Sequence, residues 1–223
     1  MARINVFDIL GPVMVGPSSS HTAGAVRLGL MARKILGDEP REAKIILHGS
    51  FAETGKGHGT DLALVAGLLG MLPDDERIPR AMEMAAAAGL KTVFSAGDLG
   101  DVHPNSVRFD LKGATGHEAT VLGCSIGGGQ IEIRGIDEFP VMLRGDYPTL
   151  VILHQDLPGV VAQVTAILAA AQINIAEMRV SREKKGAVAL TVVEMDQKID
   201  PAVAALLGKM PVLKRSMTID PLV

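Results

Sequence analysis

The chain has 223 residues, enough for one large domain or two small ones with separate cores, and its formal charge of −3 is scattered over both signs, which excludes the electrostatic footprint of a nucleic-acid binder. Aromatic residues make up 3% of it, too few for base-stacking platforms, and no apolar run reaches the length of a membrane span or reads as a signal segment. A cytoplasmic protein with no nucleic-acid or membrane partner is the expectation. In chain order, the first element is a helix whose apolar residues Ala25, Leu28, Gly29, Ala32, Ile35 and Leu36 recur at helical spacing, with its start at residues 20–22. Residues 43–47 read as a strand ending at His48-Gly49-Ser50. Residues 53–61 read as a polar, glycine-punctuated loop, which opens a helix over residues 62–72 capped by Asp61 or Thr60. A third helix spans residues 78–88, with Pro79 in its first turn and Gly89 ending it.

The rest of this half reads as strands, at residues 91–95, 106–111, 118–126, 130–134 and 140–143. Val107, Phe109 and Leu111 alternate with Arg108, Asp110 and Lys112, the pattern of an antiparallel strand with one face in water, and Gly127-Gly128-Gly129 reads as a hairpin turn. Helices followed by strands indicate an α+β class with a mixed sheet in a first domain over residues 1–146. Asp146-Tyr147-Pro148 marks a boundary, and residues 147–223 carry a second pattern: a strand at 150–154 and a turn at Asp156-Leu157-Pro158-Gly159. Then come a helix with Val160, Val161, Val164, Ile167 and Leu168 as its apolar face, strands at 173–182 and 187–195, a short helix begun by Asp200-Pro201, and a strand at 212–219. The order βαββαβ is the ferredoxin-like split unit.

The densest chemistry lies in Gly16-Pro17-Ser18-Ser19-Ser20-His21-Thr22-Ala23-Gly24, at the start of the first helix. Free N–H groups and partial positive charge at a helix start, hydroxyl donors and one imidazole are the parts of a carboxylate or anion site. A plain helix cap is the simpler alternative, but three serines, His21 and Thr22 exceed what one cap needs. The loop Thr54-Gly55-Lys56-Gly57-His58-Gly59-Thr60-Asp61 repeats the theme, and two helix starts facing each other would hold a small carboxylate or phosphate between them. It is not a P-loop, because Gly57 follows Lys56 where Ser or Thr is required. His58 and Asp61 are spaced to orient one another, and His103-Pro104-Asn105 sets another imidazole beside an amide. His48, His117 and His154 read as satisfied loop or core histidines. In the second domain Asp156 and Gly159 at a helix start, with Asn174 and Ile175 at the next strand, read either as an effector site or as an ordinary strand-to-helix turn. Cys124 is the single cysteine, so neither a disulfide framework nor a thiolate metal centre is built from this chain alone, and no metal ligand set is assigned to it.

Ile9-Leu10-Gly11-Pro12-Val13-Met14-Val15 leading into the serine-rich run, then Gly49-Ser50 with residues 54–61, then His103-Pro104-Asn105, resemble the beta subunit of iron-sulfur-dependent bacterial L-serine dehydratase. The first domain of that family is similar to the allosteric substrate-binding domain of some D-3-phosphoglycerate dehydrogenases, and residues 147–223 resemble an ACT domain. The resemblance implies deamination of L-serine to pyruvate and ammonia without pyridoxal phosphate, at a [4Fe–4S] cluster ligated by the cysteines of a separate alpha subunit. It implies His21 and His58 as acid or base, which of the two being open, and Ser18, Ser19, Ser20, Thr22, Gly59, Thr60, Asp61, His103 and Asn105 as substrate contacts. It also implies effector contacts at Asp156, Gly159, Asn174 and Ile175 and a homotypic pairing of ACT domains. The competing function is a regulatory amino-acid-binding module that senses serine without catalytic residues.

Overall fold

The computed structural model describes residues 13–222, so Ile9-Leu10-Gly11-Pro12, the beginning of the quoted motif, lies outside the described residues. The chain divides into two compact units, the first running to Asp137 and including Met142–Arg144, the second made of Glu138–Val141 and everything from Gly145 onward. No described helix is long and apolar enough to cross a membrane.

In the first unit a wide π turn, Ser19–Ala23, runs directly into helix α1, Gly24–Leu36. The helical path therefore starts at Ser19 rather than at residues 20–22, because the Ser18 side chain already caps it and the Gly24 N–H reaches back five residues to the Ser19 carbonyl. Leu28, Met31, Ile35 and Leu36 are fully buried, as the helical spacing requires, and Gly37 in the left-handed conformation closes the helix on the Arg33 carbonyl. Strand β1, Pro40–Leu47, follows. The segment expected to be a loop is instead helix α2, Ser50–His58, which Gly59 in the left-handed conformation separates from helix α3, Thr60–Leu68. Gly59, not Thr60 or Asp61, is the N-cap of α3, although the Asp61 carboxylate does accept the Leu62 N–H at 2.9 Å. The third predicted helix is a 3-10 turn at Ile78–Arg80 followed by α4, Ala81–Ala87, with Gly89 (φ 74°) beyond it.

Strands β2 (Lys91–Ala96), β3 (Ser106–Gly113), β4 (Glu118–Gly127), β5 (Gln130–Ile136) and β6 (Phe139–Leu143) complete a six-stranded sheet in the order β2-β1-β3-β4-β5-β6. It is mixed, since β1 pairs with β2 in parallel and with β3 antiparallel. Val107, Phe109 and Leu111 of β3 are buried, as their alternation predicts. The β4–β5 connection has positive φ at Gly127, Gly128 and Gly129 in succession (105°, 59° and 78°), a path that only glycine follows without strain.

Helices α1 and α3 pack together, and they cross where two glycines meet. A Cβ on Gly67 would lie 2.6 Å from the Leu30 amide nitrogen and closer still to the Val26 carbonyl. One on Gly29 would press on the Leu64 carbonyl and reach 3.0 Å from the Leu68 nitrogen. The two backbones therefore touch with no side chain between them, and this crossing sets the position of the serine-rich turn that precedes α1.

The second unit is a four-stranded antiparallel sheet ordered β10-β7-β9-β8, formed by β7 (Thr149–Gln155), β8 (Ile175–Arg182), β9 (Val188–Met195) and β10 (Leu213–Ile219). Helices α5 (Val160–Ala170) and α6 (Pro201–Gly208) complete the βαββαβ order. Leu150, Ile152, Val193 and Met195 from the sheet meet Val164, Leu168 and Leu207 from the helices in one core. The inner stripe of α5 is Val160, Val164 and Leu168; Val161, expected on the apolar face, is 39% exposed and Ile167 packs at the margin. Asp200 caps α6 through the Ala202 N–H at 2.8 Å with Pro201 in the first turn, as the Asp-Pro pair predicts.

Candidate functional site

The site grows from the π turn. Ser18 is extended (φ −140°, ψ 124°) and its hydroxyl accepts the His21 N–H at 3.2 Å, while its carbonyl accepts the Thr22 N–H at 2.8 Å. Gly16 takes φ 142°, and its Cα lies so close to Thr22 that any Cβ there would collide with the threonine side chain. Thr22 is thereby buried beneath the Gly16-Pro17 turn, whereas Ser19, Ser20 and His21 remain half-exposed.

Helix α2 supplies the opposite wall. Ser50, Thr54 and His58 recur every four residues and so share one face. His21 Nε2 lies 3.2 Å from Ser50 Oγ and 3.1 Å from Thr54 Oγ1, and the imidazole rings of His21 and His58 stand 5.0 Å apart at a tilt of 38°. The buried Phe51 ring meets the His21 ring edge-on at 5.2 Å and closes the apolar side. His58 Nδ1 is bonded to the Thr54 carbonyl at 3.1 Å, not to Asp61, which corrects the expected His58–Asp61 pairing. Burial, above all, and then the neighbouring His58 lower the His21 pKa below its ordinary 6.5, with the Ser50 main chain pulling the other way. Its surroundings therefore favour the neutral imidazole over the charged one.

The loop at residues 103–105 lies beside the start of α2. A Cβ on Gly49 would lie 2.7 Å from the Pro104 carbonyl, and Gly49 takes φ 50° at this contact. His103 Nδ1 accepts the Asn105 N–H at 3.1 Å, the Asn105 carbonyl accepts the Ser125 N–H at 3.0 Å, and Ser125 in turn sits against Gly24. His48 stays a structural residue, its Nδ1 accepting the Leu99 N–H at 3.2 Å, and His154 is a core residue bonded to Thr191 Oγ1 at 2.8 Å.

Thr60 and Asp61 lie elsewhere than expected. Thr60 is fully buried under Gly55, whose missing Cβ leaves room for it, and its hydroxyl has no hydrogen-bond partner. Asp61 opens instead onto a pocket of about 430 Å³ with Glu53, Lys56, Phe51 and Phe94, on the side of α2 turned away from Thr54. Both α2 and α3 pack against the serine-rich turn, and the side chains that meet the His21 ring there are Ser50 and Thr54 of α2. In the second unit Gly159 caps α5 at φ 89°. The Asp156 carboxylate accepts from the Gly186 N–H at 3.0 Å and from Arg182 at 3.1 Å, which together hold its pKa low. Asn174 donates to Asp196 at 2.7 Å and to Gln197 at 3.0 Å. These two effector candidates brace turns of their own unit, while Ile175 opens β8 and packs against the core.

The donor set does not fit a metal cluster. Among the described residues no three His, Cys, Asp or Glu side chains are gathered for a metal ion. Cys124 is buried, and burial pushes its thiol pKa up despite a hydrogen bond with Arg134. Its cross-strand neighbour Glu132 is also buried and pairs with Arg134 and, at 3.3 Å, with Arg144.

Sequence reasoning left Ser50 and Thr54 out of the site although both touch His21. The signal that finds them is the four-residue spacing of Ser50, Thr54 and His58, which carries meaning only once residues 50–58 are a helix.

Residues 5–96 match the family described as serine dehydratase beta chain, and residues 149–211 match the ACT domain. The chain is 45% identical over 207 residues to a Bacillus subtilis (strain 168) protein named "Probable L-serine dehydratase, beta chain", covering 93% of this chain and 94% of the relative. It is 40% identical over 210 residues to the "L-serine dehydratase, beta chain" of Peptoniphilus asaccharolyticus, covering 93% and 95%. A more distant relative, the D-3-phosphoglycerate dehydrogenase of Synechocystis sp., is 24% identical over 197 residues, covering 87% of this chain and 35% of that one. Matched to two beta chains over nearly their whole lengths, the chain belongs to the L-serine dehydratase beta chain family and carries an ACT domain in its second half.

Proposed function

We propose that this chain forms one wall of an L-serine dehydratase active site and works together with an alpha subunit, deaminating L-serine to pyruvate and ammonia. The observation that carries this reading is His21: an imidazole anchored by Ser50 and Thr54, 5.0 Å from a second imidazole and preceded by the half-exposed Ser19 and Ser20. In this reading Ser19 and Ser20, with the turn around them, bind the serine carboxylate, and His21 takes the α-proton. Because no described residues here make a cluster site, the [4Fe–4S] cluster that the family resemblance implies is assigned to the cysteines of the alpha subunit.

The test is the kinetics of the complex reconstituted with the alpha subunit. Losing a hydroxyl bonded to a carboxylate costs about 1.5–3 kcal/mol, so Ser19→Ala is expected to raise KM by roughly 10- to 100-fold. A variant with unchanged KM but altered activation by serine would instead favour the regulatory module. The pH profile gives a second check. His21 must be neutral to accept a proton, and its lowered pKa puts the acid limb of kcat/KM below pH 6.5. His58→Gln removes the charge that repels a proton from His21, so that limb should move upward in pH; a downward shift would contradict the assignment.

A further inference from the structure

Thr54 faces both imidazoles, its hydroxyl toward His21 and its carbonyl toward His58. The hydroxyl carries a single proton, and Thr54 Oγ1 stands 2.9 Å from the Ser50 carbonyl oxygen, which can only accept. With its proton given to that carbonyl, Thr54 Oγ1 has only lone pairs to offer His21 Nε2 at 3.1 Å, so the proton between them belongs to the ring. Ser50 Oγ fits the same arrangement, 3.2 Å from Nε2 and 3.4 Å from Thr54 Oγ1, where it can accept from the ring and donate to the threonine. The opposite tautomer would set a nitrogen lone pair against an oxygen lone pair, or draw the threonine proton away from the carbonyl. At His58 the logic is simpler: Nδ1 faces the Thr54 carbonyl at 3.1 Å and must donate.

We infer that Thr54 is a positioning residue that holds His21 with its proton on Nε2 and leaves Nδ1 as the proton-accepting atom, while the Thr54 carbonyl holds His58 in the opposite tautomer. The two rings then present unlike nitrogens, Nδ1 of His21 and Nε2 of His58, and each is ready to accept one proton. This rests on the reading of His21 as the acid–base group, but the ring chemistry is measurable without turnover.

The experiment is 15N NMR of the histidine rings in the full-length chain at pH 8, for the native protein, Thr54→Val and Thr54→Ser, followed by kcat and KM of each variant in the complex with the alpha subunit. The expected result is His21 entirely in the Nε2–H form, a measurable Nδ1–H fraction in Thr54→Val, and return to the native pattern in Thr54→Ser. In the complex, Thr54→Val should lower kcat roughly 10-fold with KM unchanged, and Thr54→Ser should restore most of it. A native His21 with its proton on Nδ1, or a Thr54→Val ring still wholly in the Nε2–H form, overturns the inference whatever the turnover. The expected ring spectra with unaltered kcat in Thr54→Val would leave the tautomer assignment standing and overturn the acid–base reading of His21.

Discussion

His21→Ala, assembled with the alpha subunit, is expected to lower kcat by roughly 10²- to 10⁴-fold, the usual worth of a positioned acid–base group. The ring is half-exposed and gives up two hydroxyl contacts, to Ser50 and Thr54, and one edge-on contact with Phe51, so the fold loses little when it is removed. Substrate affinity rests on Ser19 and Ser20 in this account, so KM should stay within a few-fold of native. The iron content of the complex should also be unchanged, because the described residues of this chain provide no cluster site. Turnover within tenfold of native, with iron content intact, would show that the proton is handled elsewhere.

Gly67→Ala is expected to destabilise the first unit by about 2 kcal/mol net, even though alanine is the better helix former by about 1 kcal/mol. The reason is the helix crossing. The added methyl would lie against the Val26 carbonyl and 2.6 Å from the Leu30 nitrogen, and neither of these backbone atoms can rotate away as a side chain would. Relief requires α1 and α3 to move apart, and α1 carries the serine-rich turn on its N-terminal end. The melting temperature should fall by roughly 4–8 °C. Gly57→Ala provides the control: Gly57 also lies within a helix, but nothing stands within 4 Å of a Cβ there, so propensity alone should act and stability should rise or hold. A Gly67→Ala chain as stable as native would mean that the two backbones are not in contact.

Local patterns carried much of the architecture. The alternation in β3, the triple-glycine turn and the Asp200-Pro201 cap each record a rule acting within a few residues, and each predicted its element. Residues 50–58 did not yield to that reading, because Gly55 and Gly57 each weaken an isolated helix by about 1 kcal/mol. In the fold Gly55 is instead the space into which Thr60 packs, and Phe51 is buried, so tertiary contact outweighs propensity. The same misreading hid Ser50 and Thr54 from the site and led to the pairing of His58 with Asp61. In α5 nearly every residue is apolar, so the sequence had no polar face to show that Val161 points outward. The parallel pairing of β1 with β2 depends on how distant strands meet, which local periodicity does not encode.

The expectation is that the chain completes an active site it does not contain alone. It is tested most directly by measuring pyruvate release from L-serine with this chain, with an alpha subunit, and with the two combined. Turnover in the mixture alone is the predicted result; pyruvate formed by this chain by itself, or a rate from the alpha subunit that this chain does not increase, would contradict it.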